Sequence, residues 1–362
     1  MQWNALSGDN PFLSHAYLSA LQASECASPN TGWHTQFLTL WHDEKLAGAL
    51  PLYFKTHSYG EFVFDWAWAD AYQQHGLRYY PKLVSSVPFT PVAGSRVLAN
   101  SAAVRQQLIQ GALKMAQESG ASSLHILFPE ENQALEMKQE GMMLRRGFQL
   151  HWRNPGYDNF DDYLSAMRRD KRKKINQERR KIQEAGISFE HIRGENITSE
   201  QWDFFMRCYT HTHQQFNSPQ PLNRDFFNRI STSMPQNILL IFAIRDGNPI
   251  AGALNFYKSD TLYGRSWGAI EYHPALHFET CYYQAIEFCI TNKITLFEGG
   301  AQGEHKLARG FLPTTTWSAH WLAHPEFSNA VEDFLQREAG GVDQYIEELN
   351  DSSPFKKQSQ NS

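Results

Sequence analysis

Two stretches of this 362-residue chain, LAGALPLYFK at 46–55 and IAGALNFYKS at 250–259, share the tetrapeptide AGAL and the same local setting. Each follows an apolar run and a turn built around an acidic residue, and each precedes a further aromatic run. One four-residue identity arises by chance. Its recurrence at the same point in two matching orders of elements marks an internal duplication. A duplicated chain of this length is expected to fold as two like-built halves, each with its own core. The material is present: 41% of the residues are hydrophobic and 14% aromatic.

Periodicity and punctuation then lay out the elements. The first half reads as a helix over 11–23, strands over 35–41, 46–54, 61–68 and 83–87, a Pro/Gly loop PFTPVAGSR, and a helix over 101–118. A strand over 122–128, a helix over 130–140 and a strand over 144–152 complete it. The second half reads as a basic helix, a strand over 187–192, a helix over 199–209, and strands over 238–244, 249–257 and 261–267. A helix over 276–291, a short strand ending at Glu298 and a strand over 317–322 follow. The predicted divisions are 1–155, 156–324, a helical extension 325–351 interrupted at Gly340 and Gly341, and a polar, disordered tail 352–362.

The formal charge of −5 conceals one concentrated patch: residues 168–184 hold nine Lys/Arg against three Asp/Glu. No basic segment leads into an apolar core at the N-terminus, and no run of about 18 apolar residues occurs, so a soluble cytoplasmic protein without a membrane span is expected. The four cysteines lack CxxC spacing and read as reduced thiols. HExxH, Walker, Rossmann and GxSxG patterns are missing, and His211 and His213 lie two apart, off a common helical face. Neither a metal nor nucleotide hydrolysis is expected.

Chemistry-bearing residues concentrate at 294–321. Ile294, Leu296 and Phe297 form an apolar run, Glu298 sits where the strand ends, and Gly299, Gly300 and Gly303 follow. Gln302, His305, Lys306 and Arg309 complete a polar cluster beyond a strand end, where α/β sheets place their ligands. Tyr263, Arg265 and Trp267 alternate along one strand and so are expected to share a face. With Glu271, His273, His277 and Glu279 close behind, they mark a candidate acceptor site.

The order helix, strand, helices, three-strand antiparallel meander, helix, strand, loop, strand resembles the GCN5-related N-acetyltransferase fold. Two such units, the second opened by a basic helix, resemble the FemAB-like family of N-acyltransferases linked to peptidoglycan biosynthesis or recognition. FVFDWAWADAY, YYPKLVSSVPFTPVAGSRVL, KRKKINQERRKIQEAG, HPALHFETCYYQAIEF and GAQGEHKLARGFLP carry the resemblance. It implies an α/β (α+β) fold of tandem units, each a mixed, mostly antiparallel sheet flanked by helices, and an enzyme that transfers an acyl group to a primary amine.

The simpler acetyltransferases carry a Gln/Arg-x-x-Gly-x-Gly/Ala pyrophosphate loop, which neither half contains. The resemblance therefore leaves open an acyl-CoA, an acyl carrier protein or an aminoacyl-tRNA as donor, with a small molecule or peptide amine as acceptor. A non-catalytic module recognising a cell-wall fragment is the alternative outside enzymology. Gly94, Ser95 and Arg96, ahead of a helix start, and Arg172 and Lys173 of the basic helix are the candidates for donor phosphates. Glu298 and His305 are the candidate bases, because an amine attacks only after losing its proton. Splayed strands, typical of this fold, would offer backbone N–H groups to an oxyanion.

Overall fold

The computed structural model describes residues 2–301 and 303–356. The first eight strands are β1 (Trp33–Thr35), β2 (Leu38–His42), β3 (Lys45–Leu50), β4 (Tyr53–Lys55), β5 (Lys82–Ser85), β6 (Leu98–Ala99), β7 (Ser123–Leu127) and β8 (Met143–Arg153). The rest are β9 (Ile187–Arg193), β10 (Ile238–Arg245), β11 (Asn248–Tyr257), β12 (Thr261–Ala269), β13 (Leu296–Glu298) and β14 (Phe311–Leu322). Two compact units emerge, each from two stretches of chain. The first takes residues up to Phe148 and Thr315–Ile346, and the second takes Gln149–Thr314 and the residues from Glu347 onward. The expected cut at 155 falls instead inside β8, and a separate extension from 325 is replaced by a helix whose larger part belongs to the first unit.

In the first unit the sheet runs β1-β4-β5-β7-β14-β8. The β1/β4 and β4/β5 pairs are antiparallel, and β5 pairs in parallel with β7 across the crossover helix Ala102–Glu118. That helix starts where Ser101 accepts from Val104 N. Leu108, Ile109 and Ala112 pack from it onto Leu83, Leu124 and Ile126. The hairpin predicted over 35–54 exists but changes sheets at Pro51, which cannot donate to a ladder; β2 and β3 pair with each other in a separate sheet, where β6 adds to β3.

The strand predicted over 61–68 is absent. Buried Lys82 Nζ gathers Ser58 Oγ (2.8 Å), Glu61 Oε2 (2.8 Å) and the Asp65 carboxylate, whose spacings of three and four residues no extended strand brings to one point. Asp65 instead caps the helix Trp66–Gln74. Helix Pro325–Asp351 continues through Gly340 and Gly341 rather than breaking, held by Arg145–Glu338 before the pair and Arg146–Asp343 after it.

The second unit's sheet runs from the end of β8 through β13, β12, β11 and β10 to β9. The β10, β11 and β12 strands form the expected antiparallel meander, and β12 pairs in parallel with β13 across the segment 276–291. The antiparallel triplet, crossover and parallel strand of the first unit thus recur. Helix Ser199–Gln215 opens with a capping box between Thr198 and Gln201, and extends past the expected end at 209. A helix that the periodicity reading passed over, Arg224–Ser233, is capped by Asn223 and buries Phe226, Phe227 and Ile230. The tail is ordered to Lys356: Phe355 bridges Met167, and Arg168 N donates to Pro354 O at 2.8 Å. Residues 357–362 lie outside the described residues.

Candidate active site

Parallel pairing between β12 and β13 covers three positions, ending at Tyr263↔Glu298. Beyond it the chain of β13 turns away through Gly299 and Gly300, the latter at φ 84°, a backbone glycine adopts without strain. In the β11/β12 ladder Leu254 pairs with Ser266 and Asn255 with Gly264, so Arg265 is the extra residue of a β-bulge. Divergence and bulge together open a wedge beside β12. A cleft of about 120 Å³ fills it, lined among others by Asn255, Arg265, Trp267, His277, Tyr282 and Phe297.

The bulge overturns one expectation. Tyr263 lies opposite Phe256 and Trp267 opposite Ala253, so the two rings stand on opposite faces of the sheet. Tyr263, Glu298 and His151 are register neighbours and share a face. Phe297, Gly264 and Trp267 belong to the other face. Ser266 and Leu254, whose side chains belong to the Tyr263 face, also border the cleft. Glu298 is buried at its rim without lining the cleft.

Beyond the glycine turn, the one-and-a-half-turn segment Glu304–Arg309 delivers the cluster. Lys306 is 3% exposed and donates from Nζ to Gly300 O at 2.9 Å; burial, then the charge of Arg265, lowers its pKa to about 8. His305 is exposed, yet its Nε2 meets Tyr282 Oη at 2.9 Å. Burial and the charges of Arg309 and Lys306 lower its pKa. Burial takes His277 down to about 4, assisted by His305, Arg309 and Lys306. Burial pushes the Tyr282 phenol and the Cys281 thiol up, so both remain protonated at neutral pH.

A family model named FemAB_like, described as peptidoglycan biosynthesis/recognition, matches residues 1–357. The chain belongs to this family. No curated relative matches it. Among solved structures it is similar to FemX, at 12% identity and a TM-score of 0.57, with 91% of this chain and 98% of that one covered. It is also similar to L-PGS from Bacillus licheniformis, at 9% identity and a TM-score of 0.55, covering 91% and 98%. A conserved protein from Bacteroides thetaiotaomicron matches at 11% identity and a TM-score of 0.52, covering 88% and 95%. These likenesses establish the fold.

In this FemAB_like protein the expected acceptor residues separate. Trp267 and His277 also line a second cleft of about 510 Å³, together with Glu271, His273, Phe216 and Tyr272. Glu271 holds His273 Nε2 at 2.9 Å and Arg245 at 3.2 Å. Glu279 does not line either cleft: it is 2% exposed and receives Arg179 (3.1 Å) and Gln284 (2.8 Å). Arg309 is likewise committed. Its Nη2 lies 2.9 Å from both Glu178 oxygens, its Nη1 donates to His305 O at 2.7 Å, and its guanidinium stacks 3.5 Å from the Phe278 ring. Glu178 and Arg179 thereby fasten helix Arg169–Glu184 to the site. Gln302 lies outside the described residues.

The expected phosphate loop of the first unit is a plug. Arg96 is fully buried, and its guanidinium donates to Leu127 O (2.8 Å), Gly94 O (3.1 Å) and Val92 O (2.5 Å). Gly94 N donates to Phe128 O at 3.1 Å, and Ser95 is held by Gln133 at 2.6 Å. Loop 91–97 therefore occupies the edge of β7 where β5 leaves it, and β6 intervenes before the helix start. These donors are spent on carbonyls. Lys173 is exposed on the outer side of the helix, whereas Arg172 is half-buried on the flank that carries Arg179; neither forms an ion pair among the described residues.

Tyr282, Cys281 and Asn255 went unrecognised in the sequence. The first two looked like a helical core stripe; a π-helical stretch, Glu279–Tyr283, widens the crossover there.

Proposed function

We propose that this protein is an N-acyltransferase whose reaction takes place in the wedge between β12 and β13 of the second unit. The observation that carries this is the cleft at the bulged, diverging end of β12, with the buried ammonium of Lys306 packed behind its lining residues Gly299, Cys281 and Arg265. An activated acyl carbonyl in the wedge meets the backbone of the bulge and the Lys306 ammonium, which is protonated at pH 7 and stabilises a developing oxyanion. The acceptor amine approaches from the face bearing Tyr263, Glu298 and His151, and gives its proton to Glu298. The C–N bond forms, the second proton of the attacking nitrogen passes to water as the tetrahedral intermediate collapses, and the C–S or C–O bond to the carrier breaks. Tyr282, protonated and bonded to the exposed His305, lies on the opposite face, donates its phenolic proton to the leaving group and is reprotonated from solvent through His305.

Beside β7 of the first unit Arg96 and its loop fill the corresponding place among the described residues, which favours the second unit as the donor's. The unpaired cations of helix Arg169–Glu184, Arg172 and Lys173 among them, suit a phosphate-bearing donor, whether an acyl-CoA, a carrier protein's phosphopantetheine or an aminoacyl-tRNA. Family membership favours an amine of a peptidoglycan precursor as acceptor. The test is native mass spectrometry of the purified chain for a copurified carrier, followed by transfer assays with acyl-CoA, acyl carrier protein and aminoacyl-tRNA on amine-bearing precursors. Transfer from one donor class that is lost in Lys306→Met supports the reading. Failure of all three donors with a folded protein ends it and leaves a recognition module.

A further inference from the structure

Residues 56–69 invert the usual distribution of side chains. Tyr59 is 62% exposed, Phe64 58%, Phe62 39% and Trp66 37%, whereas the only charged residues of the stretch, Glu61 and Asp65, are each 3% exposed. Globular surfaces ordinarily do the reverse, and grouped exposed rings mark an interaction site.

The rings are held out by a stiff frame. Lys82 binds Glu61 and Asp65 from inside, Lys55 Nζ donates to Tyr59 O at 3.2 Å, and Arg145 Nη1 donates to Phe64 O at 2.7 Å. Phe89 N closes onto Gly60 O at 3.0 Å. Phe62 has φ 62°, a left-handed backbone that a bulky residue adopts only when its surroundings impose it. Tyr59 and Trp66 pack ring against ring, 5.0 Å between centroids. This is a braced knuckle.

The chemistry of the stretch selects the partner. A sugar or a peptide strand needs polar side chains to meet its hydroxyls or amides, but Ser58, Glu61 and Asp65 are all committed to Lys82. His57 is kept neutral by burial and by Lys55. What remains is uncharged rings, the side chains that settle at the boundary between water and acyl chains. No helix among the described residues is long and apolar enough to cross a membrane, so the contact is peripheral. We propose that the ring-bearing segment 59–66 docks the protein on the interface of a lipid bilayer.

The test uses the full chain with phosphatidylcholine vesicles and with vesicles containing phosphatidylglycerol, read by flotation and by the difference in tryptophan emission between wild type and Trp66→Phe. The proposal expects binding to both vesicle types that persists in high salt. A Tyr59→Ser/Phe64→Ser variant should bind about tenfold more weakly, the equivalent of withdrawing ring surface from an apolar phase. Both side chains are exposed, so its unfolding midpoint should stay put; Phe62→Asn, which tolerates the same backbone, is the second variant. The proposal is overturned if wild type ignores both vesicles, if the variants bind as well as wild type, or if binding requires anionic lipid and disappears in salt. A glycan or protein partner would give the first of these results.

Discussion

Lys306 Nζ reaches Gly300 O over 2.9 Å from a position that is 3% exposed, and its pKa falls from 10.5 to about 8. Below about 8 the ammonium is charged in both folded and unfolded chains, and the folded chain bears the whole desolvation cost. At about 1.4 kcal/mol per pKa unit that cost reaches at most about 3 kcal/mol. Lys306→Met therefore raises the unfolding midpoint at pH 7 while reducing turnover about a hundredfold or more, the joint signature of a strained functional group. Calorimetry and a transfer assay on the same preparation check it. Lower stability with intact turnover would place Lys306 among structural lysines.

Stability should climb as pH rises from 7 to 8.5. Burial lowers Lys55 to about 7 and Lys306 to about 8, so across this window the unfolded chain binds more protons than the folded one, the condition for stability to increase with pH. Glu61, raised to about 7 by burial against the pull of Lys82, acts below the window: it erodes stability as pH rises from 4.5 to 7. Above about pH 9 the buried thiols of Cys208, Cys281 and Cys289 and the phenols of Tyr53, Tyr163, Tyr282 and Tyr283, all pushed up, outnumber the two lysines, whose contribution continues to about 10.5, and reverse the trend, because only their unfolded forms ionise. Urea midpoints at pH 7, 8.5 and 10 should therefore pass through a maximum, and Lys55→Met should flatten the rising limb. A midpoint that declines from pH 7 onward would contradict both assignments.

Glu298→Gln should lower kcat at neutral pH with little change in donor binding, since the carboxylate sits at the rim of the cleft, on the sheet face opposite Phe297, without lining it. Part of the lost rate should return at high pH, where the acceptor amine is neutral without help. Unchanged kcat at pH 7 would move the base role to His305 or His277.

Much of the frame was legible because local chemistry announces it. The helices opening near 101 and 199 and the AGAL hairpins all form where the periodicity places them. Asn223 carries the same capping signal, but the polar run before it masks the short apolar face of Phe226 and Phe227. The site was less legible for a geometric reason. Glu298, Lys306 and the glycine turn announce themselves in sequence, but the bulge at Arg265 carries no sequence mark, and it alone separates Tyr263 from Trp267. Buried ion clusters hide in the same way. Glu61 and Asp65 read as the polar side of a strand until Lys82, distant in sequence, explains why they turn inward.

Arg96 offers the sharpest contrast between the two units. Its guanidinium satisfies three backbone carbonyls at full burial, so Arg96→Met leaves those acceptors without donors, each at a cost of about 1–3 kcal/mol before relaxation. The variant should unfold at markedly lower urea concentration, while the fraction that remains folded binds donor as wild type does. Arg265→Ala should behave in the opposite way, because its side chain lines the open cleft of the second unit: near-normal stability with weakened donor binding. Isothermal titration with whichever donor class the transfer assays select, on both variants below their melting range, separates the two. If Arg96→Met loses donor affinity while its melting temperature holds, loop 91–97 is a binding loop and the assignment of the donor to the second unit is wrong.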